Sequence, residues 1–286
     1  MKPTVPAKRF LAIVAVLCAL SAPIPGARGQ VSPKIPAREI FTYDVQVFIF
    51  PKAAQGTLRF IPVSKNRYRA ELMAETKGII GLITLYRKNH YISELEYVPE
   101  KSRFLSRHYT KLVHRGPNVE RTTVSIDHEK GRVKWKIYFN DVLENQGVEP
   151  IPESVRYEDL LSAFFNFRGG AYGPLERGRK TTVLTLPDYA DRVKNKDNPK
   201  KEDPYQKFEI RIADAETEKT YRKRYGREGE KGLLALVKVP KDLFGQETGE
   251  VRIWFDTNTI PVAVTVEDAI FFGDVHAFLR QPKRGR

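Results

Sequence analysis

Apolar and polar residues alternate with a period of two along most of this chain, and this pattern constrains the fold more than any other feature. The clearest run is Arg132–Phe139, with the sequence RVKWKIYF. The same alternation recurs in 41–50, 207–212, 251–255, 262–266 and 275–279. Such alternation is typical of antiparallel strands that have one buried face and one face in water. We therefore predict a mainly β fold of roughly a dozen strands, in a single curved antiparallel sheet or an unclosed β-barrel.

One segment departs from this pattern and has helical spacing instead. Residues 154–168, SVRYEDLLSAFFNFR, repeat apolar and aromatic residues every three or four positions. Ser154 can cap the first turn, Asp159 lies early in the segment, and Gly169 follows its end. The spacing predicts one main amphipathic helix at about 154–167, packed on or over the concave face of the sheet.

The first 29 residues are organised like a secretory signal peptide. Three basic residues precede an apolar run at 10–22, and the small residues Ala27 and Gly29 precede the expected cleavage point. The apolar run has 13 residues, whereas a membrane-spanning helix needs roughly 20. An uncleaved anchor helix is the alternative. We expect the mature protein to begin near Gln30 and to lie in the periplasm.

Net charge and cysteine content narrow the classes of partner. The formal charge of +14 would suit nucleic acid, but export to the periplasm argues against that partner. The chain is better suited to an anionic membrane surface, a lipid or acylated ligand, or an envelope protein partner. The single cysteine, Cys18, lies in the signal segment, which excludes a disulfide scaffold.

The remaining boundaries follow from composition. We expect a linker at 30–38, a single β-rich domain at 39–280 and a flexible basic tail at 281–286. Within the domain, 187–204 and 213–232 are rich in charged residues. Both are predicted to be solvated loops or a protruding hairpin.

The sequence predicts no catalytic residue, no metal ligand and no cofactor. His108 and His114 are six residues apart, which places them roughly 20 Å apart on an extended strand. The chain contains no HExxH, CxxC, GxSxG or phosphate-binding-loop motif. Acidic residues near the predicted helix start are favoured by the helix dipole, so a general-acid pair is the weaker interpretation.

Aromatic residues supply the candidate ligand site. Trp254 lies opposite Ile253, and a strand that is apolar on both faces is either buried twice or faces a cavity. A core sealed by the aromatic helix and a ligand cavity both fit this pattern. The candidate ligand-binding residues are Tyr157, Leu161, Phe164, Phe165, Arg168 and Trp254.

Two motifs carry a resemblance to a known family. The helix contains an Asp-x-x-Ser-x-x-aromatic-x-x-Arg pattern, formed by Asp159, Ser162, Phe165 and Arg168. A hairpin near the C-terminus contains Trp254-Phe255-Asp256, Ile260-Pro261-Val262 and Gly273-Asp274-Val275. Over roughly residues 38–280 the chain resembles the bacterial envelope family called domain of unknown function 3108.

The hairpin is also similar to that of the lipoprotein carriers LolA and LolB, which fold as an unclosed β-barrel draped over helices. Their apolar cavity holds acyl chains. The resemblance implies a non-enzymatic periplasmic protein that binds or shuttles an apolar ligand, such as an acylated lipid or lipoprotein. The alternative is a protein-interaction module in envelope assembly or stress sensing.

Overall fold

A computed structural model describes residues 38–47, 49–152, 155, 157–194, 205–239, 249–267 and 273–280. The predicted signal peptide, the linker up to residue 37 and the predicted tail lie outside the described residues. The same is true of 195–204, which form the second half of the first charged segment.

The described residues contain fourteen strands in one sheet. The strands are β1 (Glu39–Val47), β2 (Phe50–Ser64), β3 (Arg67–Thr76), β4 (Lys88–Val98), β5 (Arg103–Arg115), β6 (Asn118–Asp127), β7 (Arg132–Phe139), β8 (Val142–Pro150), β9 (Lys180–Thr185), β10 (Gln206–Ile212), β11 (Leu233–Lys238), β12 (Glu250–Phe255), β13 (Pro261–Val266) and β14 (Val275–Leu279).

Sheet order is β8-β7-β6-β5-β4-β3-β2-β1-β14-β13-β12-β11-β10-β9, and every neighbouring pair is antiparallel. Two meanders, β1–β8 and β9–β14, are joined where β14 pairs with β1. Strands β8 and β9 form the two edges, so the sheet is not closed. The predicted mainly β fold with a single unclosed antiparallel sheet is confirmed.

The first predicted strand is in fact two strands. The run 41–50 was expected to be continuous, but the chain reverses in it, and Val47 pairs with Phe50 across the turn. Alternation holds up to Val47, because Tyr43, Val45 and Val47 are all fully buried. Ile49 lies in the turn and is 69% exposed, so it does not continue the buried face.

Four α-helices occur in the described residues: α1 (Gly78–Ile83), α2 (Leu160–Arg168), α3 (Tyr189–Lys194) and α4 (Ala215–Arg224), with a 3₁₀ turn at Pro99–Lys101. None of the helices in these ranges is long and apolar enough to cross a membrane. The prediction of one main helix was therefore incomplete.

Helix α2 is shorter than predicted because its cap is Asp159. The Asp159 carboxylate accepts hydrogen bonds from the N–H groups of Leu161 and Ser162, at 2.7 and 3.0 Å. The preceding residue, Glu158, is held outside the helix because its carbonyl accepts from the Leu186 N–H at 2.7 Å. Ser154, the predicted cap, lies outside the described residues.

Helix α2 occupies the concave side of the sheet. Its apolar side chains join one buried cluster with inward-facing residues of β1–β4 and β10–β14. Phe165 lies 4.3 Å from the ring of Phe60 on β2, centroid to centroid. The predicted packing of the helix on the concave face is confirmed.

Both charged segments contain a helix, which corrects the prediction of solvated loops. Helix α3 lies in 187–204, and its Tyr189 and Ala190 are buried against Trp135 of β7. Helix α4 lies in 213–232 and packs on the outer face of the sheet, where Tyr221 is 4% exposed. Asp214 caps α4 through the Thr217 N–H at 2.8 Å. In both segments the apolar residues are few and lie among many charged residues, so the sequence pattern did not indicate a helix.

Candidate functional site

A cleft of about 540 Å³ opens at one end of the sheet, where the β4–β5 and β6–β7 connections meet the segment that leads to α2. It is lined by Lys101, Arg103, Leu105, His128, Gly131, Ile151, Val155 and Tyr157. Three of these side chains are cationic or can become so, and four are apolar. The cleft therefore presents a polar, basic side and an apolar side to the same space.

Arg103 lines the cleft and forms an ion pair with a buried carboxylate. Its side chain is 12% exposed and its Nη2 lies 3.5 Å from Oε1 of Glu158, which is 1% exposed. The Arg103 Nε is buried and has no hydrogen-bond partner among the described residues. A buried guanidinium with an unused donor is suited to a phosphate or carboxylate, which accepts several N–H groups at once.

Glu158 sets the charge next to Arg103. Burial raises the pKa of Glu158 to about 7, against opposing effects from the Tyr172 hydroxyl, the Arg103 guanidinium and the Asn166 amide. Tyr172 donates to Oε2, and Asn166 Nδ2 donates to Oε1 at 2.9 Å. Near neutral pH, small changes in acidity therefore change the charge that faces Arg103.

Asp159, the neighbouring carboxylate, serves the helix. Burial raises the pKa of Asp159, while hydrogen bonds from the Ser93 hydroxyl and from backbone N–H groups oppose the shift. The Ser93 Oγ donates to Oδ1 at 2.6 Å. Asp159 thus ties the start of α2 to β4.

The far end of α2 is fixed by two further side chains. Asn166 exchanges hydrogen bonds with the backbone of Phe104, accepting at 2.6 Å and donating at 2.8 Å. Arg168 pairs with both carboxylate oxygens of Glu39, with Nη2 to Oε1 at 2.6 Å. In this chain, Arg168 of the helix motif pairs with a carboxylate and so holds the end of α2 against β1.

His128 completes the basic side of the cleft. Its Nε2 donates to the carbonyl oxygen of Ser106 at 2.8 Å. Burial lowers the pKa of His128, with the nearby Arg107 and Arg103 acting in the same direction, although the Ser106 hydrogen bond opposes them. The ring is therefore biased toward its neutral form, and Lys101 and Arg103 supply the positive charge.

The six predicted ligand-binding residues do not form one site. Tyr157 lines the cleft, whereas Leu161, Phe164 and Phe165 are at most 2% exposed and pack into the core. Arg168 is taken up by Glu39. Trp254 is on the opposite face of the sheet, where its ring stacks with Tyr221 of α4 at 6.0 Å.

The position of Trp254 corrects its grouping with the helix residues. Strand β12 is buried twice, because Ile253 faces the core around α2 and Trp254 faces α4. The sequence alone allowed two interpretations of this strand, burial on both faces or one face toward a cavity. The sequence pattern did not reveal the basic residues of the cleft. Lys101 and Arg103 lie in a different part of the chain from His128, and no motif links them.

No protein-family model matches the chain, and no curated protein matches it. Among solved structures, the chain is similar to the crystal structure of a beta-barrel-like protein of domain of unknown function DUF1849 from Brucella abortus, with 10% sequence identity and a TM-score of 0.44. The match covers 86% of this chain and 96% of that one. The resemblance to domain 3108 and to LolA and LolB stays a prediction from the motifs.

Proposed function

We propose that this protein is a non-enzymatic periplasmic carrier that binds an anionic amphiphile, such as an acylated lipid or the lipid part of a lipoprotein. The anionic group lies against Lys101 and Arg103, and the acyl chain lies along Ile151, Val155 and Tyr157. A volume of about 540 Å³ falls in the range of small-molecule sites. The proposed ligand therefore lies at the end of the sheet, and not in the interior against the residues of α2 that the sequence analysis named.

The observation that carries the proposal is the state of Arg103. Its buried Nε lacks a partner among the described residues, and its ion pair with Glu158 is long, at 3.5 Å. An incoming phosphate or carboxylate would compete with Glu158 for the guanidinium, whose side chain is 12% exposed. The adjacent apolar wall gives the rest of an amphiphile a place outside water.

The direct test is native mass spectrometry of the protein recovered from its own cell envelope. We expect the parent protein to carry a lipid at near-stoichiometric amount. The double variant Arg103→Met/Glu158→Gln removes the guanidinium without leaving a buried carboxylate unpaired, and it should lose the lipid. A lipid-free parent protein would count against the carrier role.

A matched control lies on β5 and the neighbouring strand β4. Arg107 and Glu96 form an ion pair at 2.7 Å outside the cleft, with side chains 31% and 35% exposed. The variant Arg107→Met/Glu96→Gln makes the same chemical change there and should keep the lipid. Equal loss of lipid in both double variants would mean that charge in general, and not the cleft, governs binding.

An interaction module in envelope assembly or stress sensing is the second candidate, and edge strand β8 favours it. In the part of the chain that the structure describes, β8 pairs with β7 alone, and its Val148 is 60% exposed. Such an edge can accept a strand from a partner. A protein that co-purifies at fixed stoichiometry, in place of a lipid, would support this candidate.

A further inference from the structure

Exposed apolar side chains are concentrated at one end of the sheet. In an antiparallel meander, alternate connections lie at the same end, so 49–52, 76–88, 115–118 and 139–143 lie side by side. We call these four segments the apolar rim. Nine of the twelve exposed large apolar residues of the described chain belong to it: Ile49, Ile79, Leu82, Ile83, Leu85, Tyr86, Phe139, Val142 and Leu143.

The opposite end of the sheet differs in character. Its connections, 64–67, 99–102 and 127–132, contain none of the twelve exposed large apolar residues that the described ranges hold. They are rich in Lys, Glu and Asp, and two of them border the cleft. The asymmetry between the two ends is therefore a property of the whole meander and not of one loop.

The centre of the apolar rim is an ordered helix. In α1, Ile79, Leu82 and Ile83 share one face and are 60%, 65% and 58% exposed, while Ile80 and Thr84 lie on the buried face. The Thr84 hydroxyl lies 2.7 Å from the hydroxyl of Thr76 at the end of β3, and this hydrogen bond holds the buried face of α1 against the sheet. The apolar face of α1 is thus held outward by the structure around it.

Backbone hydrogen bonds join α1 to the neighbouring connections. The Lys77 N–H donates to the Ala53 carbonyl at 2.8 Å, and the Gly116 N–H donates to the Leu85 carbonyl at 3.0 Å. These bonds connect the segment around α1 to β2 and to the β5–β6 connection, and eight strands at ~4.8 Å spacing make the rim roughly 35 Å long. Exposed apolar side chains that are concentrated at one end of a sheet in this way mark an interaction site.

Charge around the rim identifies the partner. The four segments contain five basic residues and one acidic residue: Lys52, Lys77, Arg87, Lys88, Arg115 and Asp141. Arg87 is buried and Lys88 forms an ion pair with Glu75 at 3.6 Å, whereas Lys52, Lys77 and Arg115 reach solvent. The acidic residue is neutralised by Arg121 at 3.0 Å. A row of apolar side chains with Lys and Arg behind it matches an anionic lipid surface, where apolar groups enter the headgroup boundary and cations meet phosphates.

We propose that the apolar rim docks this protein onto an anionic phospholipid bilayer, with the exposed face of α1 entering the headgroup layer. A bilayer accommodates exposed apolar residues that are spread over three of the four connections, because lipids adjust to the side chains. The cleft at the other end of the strands then stays in water. Docking and ligand binding therefore use separate residues and can fail separately.

The test is binding to vesicles of phosphatidylglycerol and phosphatidylethanolamine. The variant Ile79→Gln/Leu82→Gln/Ile83→Gln should lower the partition coefficient about tenfold or more, since the apolar face of α1 is lost. The matched control is Ile40→Gln/Val63→Gln/Val148→Gln, which changes the three exposed apolar residues that lie off the rim. The control should bind like the parent chain. All three proteins carry the same N-terminal segment, so that segment cannot cause a difference between them.

A local readout separates the rim from any other membrane contact. The two native tryptophans, Trp135 and Trp254, are 9% and 0% exposed, so a substitution Ile83→Trp adds the exposed indole. Its emission should shift to the blue on anionic vesicles, and much less on phosphatidylcholine. Unshifted emission on anionic vesicles, or equal vesicle binding by the two triple variants, would overturn the proposal and indicate a protein partner for the rim.

Discussion

At the scale of single residues, a buried carboxylate lies beside the basic residues of the cleft. Glu158 has a folded pKa of about 7, raised mainly by burial from an ordinary value of 4.5. A raised pKa means that the folded state prefers the protonated form. The stabilising contribution is complete below about pH 4.5 and is lost as the pH rises through 7, with a magnitude of up to about 3 kcal/mol.

The variant Glu158→Gln should remove this pH dependence. We expect the free energy of unfolding of the parent protein to fall between pH 5 and pH 8, and that of the variant to fall less. Asp159 has a raised pKa with the same sign, and His90, His128 and His276 have lowered pKa values with the opposite sign. All four remain in both proteins, so the difference isolates Glu158.

Urea denaturation at the two pH values measures this effect. Glu96→Gln is the control, because it removes a carboxylate that forms a partly exposed ion pair. Parallel pH profiles for the parent and Glu158→Gln would show that Glu158 does not titrate near neutrality in the folded protein. The proposed competition between ligand and Glu158 would then have no basis.

At the scale of elements, helix α2 is a core element and not a lid. Phe164 is fully buried, and its ring meets that of Phe165 edge to face at 4.5 Å. The motif residues Asp159 and Arg168 bind the two ends of the helix to β4 and β1. Opening α2 to admit a ligand would break all of these contacts, so we assign it a structural role.

Truncation of Phe164 tests this role. Phe164→Ala should lower the free energy of unfolding by about 3–5 kcal/mol, because it leaves a cavity in the centre of the core. Phe139→Ala, at a ring that is 39% exposed, should cost less than about 1 kcal/mol. Chemical denaturation measures both values. Similar small losses would place the Phe164 ring at a mobile surface instead.

At the scale of the whole molecule, the strands and their buried faces could be predicted from the sequence, whereas helices α3 and α4, which pack against the sheet, could not. Alternation identified the antiparallel sheet, because each strand keeps a period of two. It showed that Trp254 and Ile253 are both apolar, but not that α4 covers the former. Helix α4 has few apolar residues, and its Tyr221 and the following residue Tyr225 lie among charged neighbours.

The site was the least predictable part for a physical reason. The side chains of the cleft come from two turns, the start of β5 and an extended segment, and only the fold brings Arg103 to Glu158. The apolar rim had one visible signal, the run GIIGLITLY at 78–86, which breaks the alternation between β3 and β4. Without the strand order, nothing in that run distinguishes an exposed tip from a buried strand.

The most direct test of the central claim is an equilibrium titration of the protein with a soluble anionic lysophospholipid, with a zwitterionic one of the same chain length for comparison. We expect saturable one-to-one binding of the anionic lipid, and tighter binding at pH 6 than at pH 8, because protonated Glu158 releases Arg103. Arg103→Met/Glu158→Gln should weaken binding about tenfold or more, and Arg107→Met/Glu96→Gln should not. Equal affinity for the two lipids, or binding that the cleft variant leaves unchanged, would contradict the account.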